Sequence, residues 1–118
     1  MKKLFTFTFA AMIILSMTAL SSQVFKTNLK VSVRNELGAL ESGVNVTLYK
    51  TKEDFDKNAN ALASQTTDEK GNAQFEKLEP IVYYINAEKG DQNNSGAGEK
   101  TDPLVENKLN KVTIIISE

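Results

Sequence analysis

Leu29, Val31 and Val33 alternate with Lys30, Ser32 and Arg34, and Val44, Val46 and Leu48 alternate with Asn45, Thr47 and Tyr49. A period of two with β-branched residues on one side predicts strands with one buried and one wet face. Asn35-Glu36-Leu37-Gly38 and Glu41-Ser42-Gly43 are turn clusters between these strands. Thr51 to Ala63 changes period. Thr51-Lys52-Glu53-Asp54 has the form of a helix start, and Phe55, Ala59 and Leu62 recur at helical spacing. Asn58 and Asn60 compete for their own backbone groups and hold this to a turn or two. Ser64 to Thr67 predicts a short third strand, and Asp68-Glu69-Lys70-Gly71 its turn, with glycine supplying positive φ. Asn72 to Leu78 follows with Ala73, Phe75 and Leu78 inward. Pro80 lacks an amide donor and belongs at a strand start or an edge. Tyr83, Ile85 and Ala87 share one face of the next strand, Ile81 to Glu88. Gly90 to Asn107 reads as a long polar loop, and Lys111 to Ser117 as a last strand with Val112, Ile114 and Ile116 inward. Short strands recurring about every 8–12 residues predict an all-β sandwich of about seven strands with one short helical turn.

The N-terminus stands outside this pattern. Lys2 and Lys3 precede an apolar run from Leu4 to Leu20, and Ser21-Ser22-Gln23 is small and polar. That order is a secretory signal peptide, with cleavage expected after Ser21. The run of about 17 residues sits at the lower limit for crossing a bilayer, which favours cleavage over an uncleaved anchor. The expected division is a signal peptide over 1–21 and one domain over 22–118.

Composition then narrows the function. Cysteine is absent, so neither a lipid anchor at the cleavage point nor a disulfide is expected; the signal peptide alone carries the localisation read, which is exported, periplasmic or extracellular. Roughly 95 residues suffice for one modest core. Removing Lys2 and Lys3 from the 14 basic residues leaves 12 against 15 acidic, a net charge of about −3. A mildly acidic domain without a basic stripe excludes nucleic acid as the expected partner. No stable membrane span is expected after signal cleavage, and the oligomeric state is left open.

Leu29 to Arg34, Gly43 to Tyr49, Thr67-Asp68-Glu69-Lys70-Gly71-Asn72-Ala73-Gln74-Phe75 and Leu78-Glu79-Pro80-Ile81-Val82-Tyr83-Tyr84 together resemble the carboxypeptidase regulatory-like domains. Cna protein B-type and transthyretin-like domains share that architecture. The resemblance implies a prealbumin-like, antiparallel Greek-key β-sandwich, and is similar in kind to small exported bacterial proteins of this type. It departs from many such domains in carrying Pro80-Ile81 where they have Pro-Gly. It specifies no reaction. Transthyretin-like enzymes that hydrolyse 5-hydroxyisourate depend on histidines, and this chain has none.

Without His or Cys, imidazole and thiol catalysis is excluded. Zinc would have to be held by carboxylates alone, which is rare. The chain is read as a non-enzyme without a cofactor. Some Cna B-type domains form an internal Lys–Asn isopeptide bond. Lys30 lies roughly where that lysine would, but on the polar side of its strand. Asp54, Asp56 and Asn58 offer oxygens at every second position, as the first half of a calcium loop does. Ala59 replaces the glycine and Gln65 the bidentate glutamate such a loop requires, leaving a weak calcium candidate. Asn45-Val46-Thr47 and Asn93-Asn94-Ser95 match the glycosylation acceptor pattern, read as chance in a chain with a bacterial-type signal.

The segment with room for function is the 90–107 loop. Asp91, Gln92, Asn93 and Asn94 carry groups that suit sugar hydroxyls, and Tyr84 or Tyr49, outward by alternation, offers a stacking ring. The first reading is an exported, non-catalytic binding module for a glycan or an envelope protein. The alternative is a structural or assembly module pairing through an exposed edge strand. A metal-dependent hydrolase ranks last.

Overall fold

The alternation of β1 (Asn28–Asn35) is realised in burial: Leu29, Val31 and Val33 are fully enclosed and the residues between them are not. The computed structural model describes residues 26–96 and 98–118; the segment read as a signal peptide lies outside the described residues. Along the chain follow β2 (Asn45–Tyr49), α1 (Lys52–Lys57), β3 (Ala63–Thr66), β4 (Asn72–Phe75), β5 (Tyr84–Lys89), β6 (Gln92–Asn93) and β7 (Leu109–Ile116). The chain is mostly β, in two sheets with one short helix. Among the described residues no helix is long and apolar enough to cross a membrane.

The first sheet has the order β4-β1-β7 and the second β3-β2-β5-β6. Leu29, Val31, Val33, Ala73, Phe75, Ile114 and Ile116 from the first meet Val46, Leu48, Ile85 and Ala87 from the second in one apolar cluster. That shared cluster gives the two sheets their sandwich-like relation. In the second sheet Val46 stands beside Ala87 and Leu48 beside Ile85, so register and inward face agree.

The expectation of a wholly antiparallel arrangement is corrected by β7. It runs parallel to β1, with Val31 beside Val112 and Val33 beside Ile114, while β1 and β4 are antiparallel. A parallel neighbour needs a long crossover. The chain supplies one, since the entire second sheet lies between β1 and β7 in sequence. Period-two patterning is the same in both directions and carries no information about it.

The predicted turns are present. Thr51 caps α1, its hydroxyl accepting from the Asp54 amide at 3.1 Å. The Asp68 carboxylate accepts from the Lys70 and Asn72 amides at 2.9 and 3.0 Å. Gly71 follows at φ 76°, where an added Cβ would lie 2.9 Å from the Val33 carbonyl. At the Pro80 corner the buried Tyr83 ring places its hydroxyl to accept from the Glu79 amide at 2.9 Å.

Candidate functional site

The structure separates the residues expected to form a ligand site. Gly90-Asp91 is the two-residue turn of a hairpin that sets Gln92 beside Lys89 and Asn93 beside Glu88. Tyr84 lies at the other end of β5, roughly 16 Å away at the rise of a strand. The chain doubles back along β5, so Lys100, not Asn94, becomes the neighbour of Tyr84. Asp91 and Asn93 are exposed and Gln92 half-buried, at the hairpin end.

Asn94 is a correction of another kind, being only 1% exposed. Its carboxamide oxygen accepts from the Ala87 amide at 3.0 Å, and its nitrogen donates to the Ile85 and Gly98 carbonyls at 2.8 and 3.1 Å. The side chain does what a neighbouring strand's backbone would do, extending the ladder where β6 ends. The Glu99 carbonyl then accepts from the Ile85 amide at 2.7 Å. Thr101 closes the series, its amide donating to the Tyr83 carbonyl and its hydroxyl accepting from the Tyr83 amide. Residues 92–96 and 98–101 thus form a strap that satisfies the outer edge of β5, and Leu104 beyond it reaches the core. The sequence shows polar residues here because their polar atoms are spent on backbone.

The calcium candidate is also taken apart. Asp54 and Asp56 fall within α1, and residues two apart on a helix point to different faces. Asp56 bonds the Lys52 ammonium at 2.8 Å, Asp54 accepts from Asn60, and Asn58 is the left-handed C-cap. Among the described residues no three His, Cys, Asp or Glu side chains cluster. Lys30 stands beside Gln74 and Lys111, away from the core residues Leu29 and Val31.

Two features emerge that residue patterns did not locate. The first is the edge formed by β7. The Asn28 amide donates to the Lys108 carbonyl, so the even-numbered residues of β7 direct their backbone groups toward β1. At the far end Ser117 exchanges both backbone bonds with Asn93, on the opposite side. Between these fixed points the N–H and C=O groups of Leu109, Lys111, Thr113 and Ile115 point outward, and no neighbouring strand is paired to them among the described residues. β3 and β4, the other outer strands beside the two-residue β6, span only four residues each, against eight in β7. Along the first half of β7 runs a groove of about 490 Å³, walled by Pro103, Leu104 and Val105. Val105 is 55% and Leu109 37% exposed at its lips. Asn110 fixes the wall by exchanging bonds with the Val105 amide and carbonyl at 2.8 and 3.1 Å.

The second is a cleft of about 310 Å³ where α1 crosses the outer face of β5, lined by Lys52, Phe55, Asp56, Tyr84, Glu99 and Lys100. Phe55 meets Tyr49 edge-on at 5.8 Å and leans over Tyr84 at 6.1 Å. Lys52 is held above the ordinary lysine range by its hydrogen bond to Asp56, with Glu99 adding to the effect.

A scan of protein-family models matches none to this chain, and a search of curated proteins finds no significantly similar relative.

Proposed function

We propose that the chain is an exported, non-catalytic interaction module whose protein partner adds an extended segment to the free edge of β7. The observation that carries this reading is the outward ladder of Leu109, Lys111, Thr113 and Ile115 beside an apolar-lipped groove. Main-chain bonds along such an edge supply affinity, and the groove supplies selection of every second side chain. Natural edge strands are usually short, bulged or heavily charged. β7 is long, rich in Ile and Val, and carries Lys111 as its one charge. The sequence resemblance and the one-cluster core support a prealbumin-like Greek-key sandwich as its framework. Lys2-Lys3 followed by the apolar run to Leu20 supports export to the periplasm or cell surface.

The test is retention from the envelope fraction by wild-type protein and by Thr113→Pro. Thr113 directs its amide away from β1, so proline there removes an outward donor and leaves the β1–β7 ladder intact. Wild type is expected to retain a specific protein that Thr113→Pro loses, with unchanged circular dichroism. Equal retention by a folded Thr113→Pro would overturn the reading.

A further inference from the structure

We infer that the cleft between α1 and residues 99–100 is a second binding site, taking one neutral sugar ring. Its floor is aromatic: Tyr84 is half-buried beneath Phe55, and Phe55 is braced from behind by Tyr49, itself only 4% exposed. A braced ring keeps its orientation without losing further freedom on binding. The rim is charged but balanced, two lysines facing two carboxylates. Balance leaves no net field to favour an anion or a cation, while the lining holds both donors and acceptors.

The four charged groups are not equivalent. Lys52 and Asp56 hold each other at 2.8 Å. The Glu99 backbone is fixed by the bond from the Ile85 amide, yet its carboxylate carries no hydrogen bond among the described residues, and neither does the Lys100 ammonium. Glu99 and Lys100 are therefore poised as acceptor and donor for a ligand above the rings. A pyranose has the matching form, with an apolar C–H face for the aromatic floor and equatorial hydroxyls that both donate and accept. A purely apolar ligand would desolvate the charged rim without compensation. The volume lies at the low end for ligand pockets, which run from about 300 Å³, and limits occupancy to a single ring. Beyond the cleft the outer face continues with Asn86 and Glu88 along β5 and with Asn45 and Ser64 on β2 and β3, giving a chain of sugars a polar track. This site shares no lining residue with the β7 groove and stands independently of the edge-strand reading.

The experiment is a titration of the purified protein with cellohexaose, maltohexaose and hexa-N-acetylchitohexaose, followed by amide NMR shifts, with oligogalacturonate as the anionic comparison. At least one neutral probe is expected to bind in the millimolar range, moving the amides of residues 52–56, 84 and 99–100. Tyr84→Ala is expected to weaken that binding about tenfold, and Glu99→Gln several-fold. Glu99→Gln alters only a half-buried rim group without hydrogen bonds among the described residues and decides the matter if Tyr84→Ala does not fold. Thr113→Pro should leave sugar binding unchanged. No binding of any neutral probe at millimolar concentration, tighter binding of oligogalacturonate, or binding that Glu99→Gln leaves unaltered would each overturn the inference.

Discussion

Replacing Asn94 by Ala should destabilise the fold far more than a polar residue in a surface loop would. The substitution removes three hydrogen bonds and leaves the Ala87 amide and the Ile85 and Gly98 carbonyls without partners. Two of these bonds are buried and the third partly so, which limits rescue by water. A net hydrogen bond is worth about 1 kcal/mol, and an unpaired buried group costs about 1–3 kcal/mol. Partial collapse around the small cavity offsets some of this, and the expected loss is about 3 kcal/mol. In a domain of this size that corresponds to a fall in Tm of about 15 °C. Asn94→Asp should be no better: it keeps an acceptor for Ala87, loses both donors and buries a charge. Urea unfolding of the three proteins, followed by far-ultraviolet circular dichroism, measures the difference at constant m. A loss below about 1 kcal/mol for Asn94→Ala would refute the description of residues 92–96 and 98–101 as a strap completing β5.

Gly71→Ala should cost about 1–3 kcal/mol in the same assay, because a Cβ meets the Val33 carbonyl at 2.9 Å in a backbone with φ 76°; an unchanged midpoint would show that the β4 turn yields. Acid should weaken the fold. Glu41 is held below its ordinary 4.5, first by its bond to Lys89 and then by Asn35. Asp68 is held below 3.8 by the Asn72 and Lys70 amides. The unfolded chain therefore binds these protons first, so their stabilisation is present above the ordinary values and disappears as pH falls through the lowered ones. Urea midpoints from pH 7 down to pH 3 should decline in that window, and Glu41→Gln should flatten part of the decline.

How much was legible follows from which forces leave a residue pattern. Burial on one face leaves period two, and so β1 and the inward set Tyr83, Ile85 and Ala87 are read directly from the chain, whereas in β2 Thr47 and Tyr49, expected on the wet face, are buried as well, Tyr49 against Phe55 of the crossing helix. Capping and turn chemistry use particular side chains, which is why Thr51 and Asp68-to-Gly71 were placed. Strand direction leaves no such trace, and nothing in the residues of β7 distinguishes its parallel course beside β1 from an antiparallel one. The strap was hidden because Asn94 and Thr101 satisfy backbone groups from the inside, and a residue type does not reveal whether its partner is a peptide or water. The separation of Tyr84 from Gln92 and Asn93 depends on the hairpin at Gly90, which pairs residues by position rather than character. Which strand is left as a long free edge is likewise a property of the assembled sheets.

Residue-resolved amide hydrogen exchange across β7, in the free protein and with its retained envelope partner, tests the edge-strand account most directly. In the free protein the amides of Asn110, Val112, Ile114 and Ile116 should be protected by β1, while those of Lys111, Thr113 and Ile115 exchange fast. With the partner bound, these outward amides should become protected as well. Protection of the outward amides already in the free protein, or none gained with the partner bound, would contradict a free edge that accepts a strand.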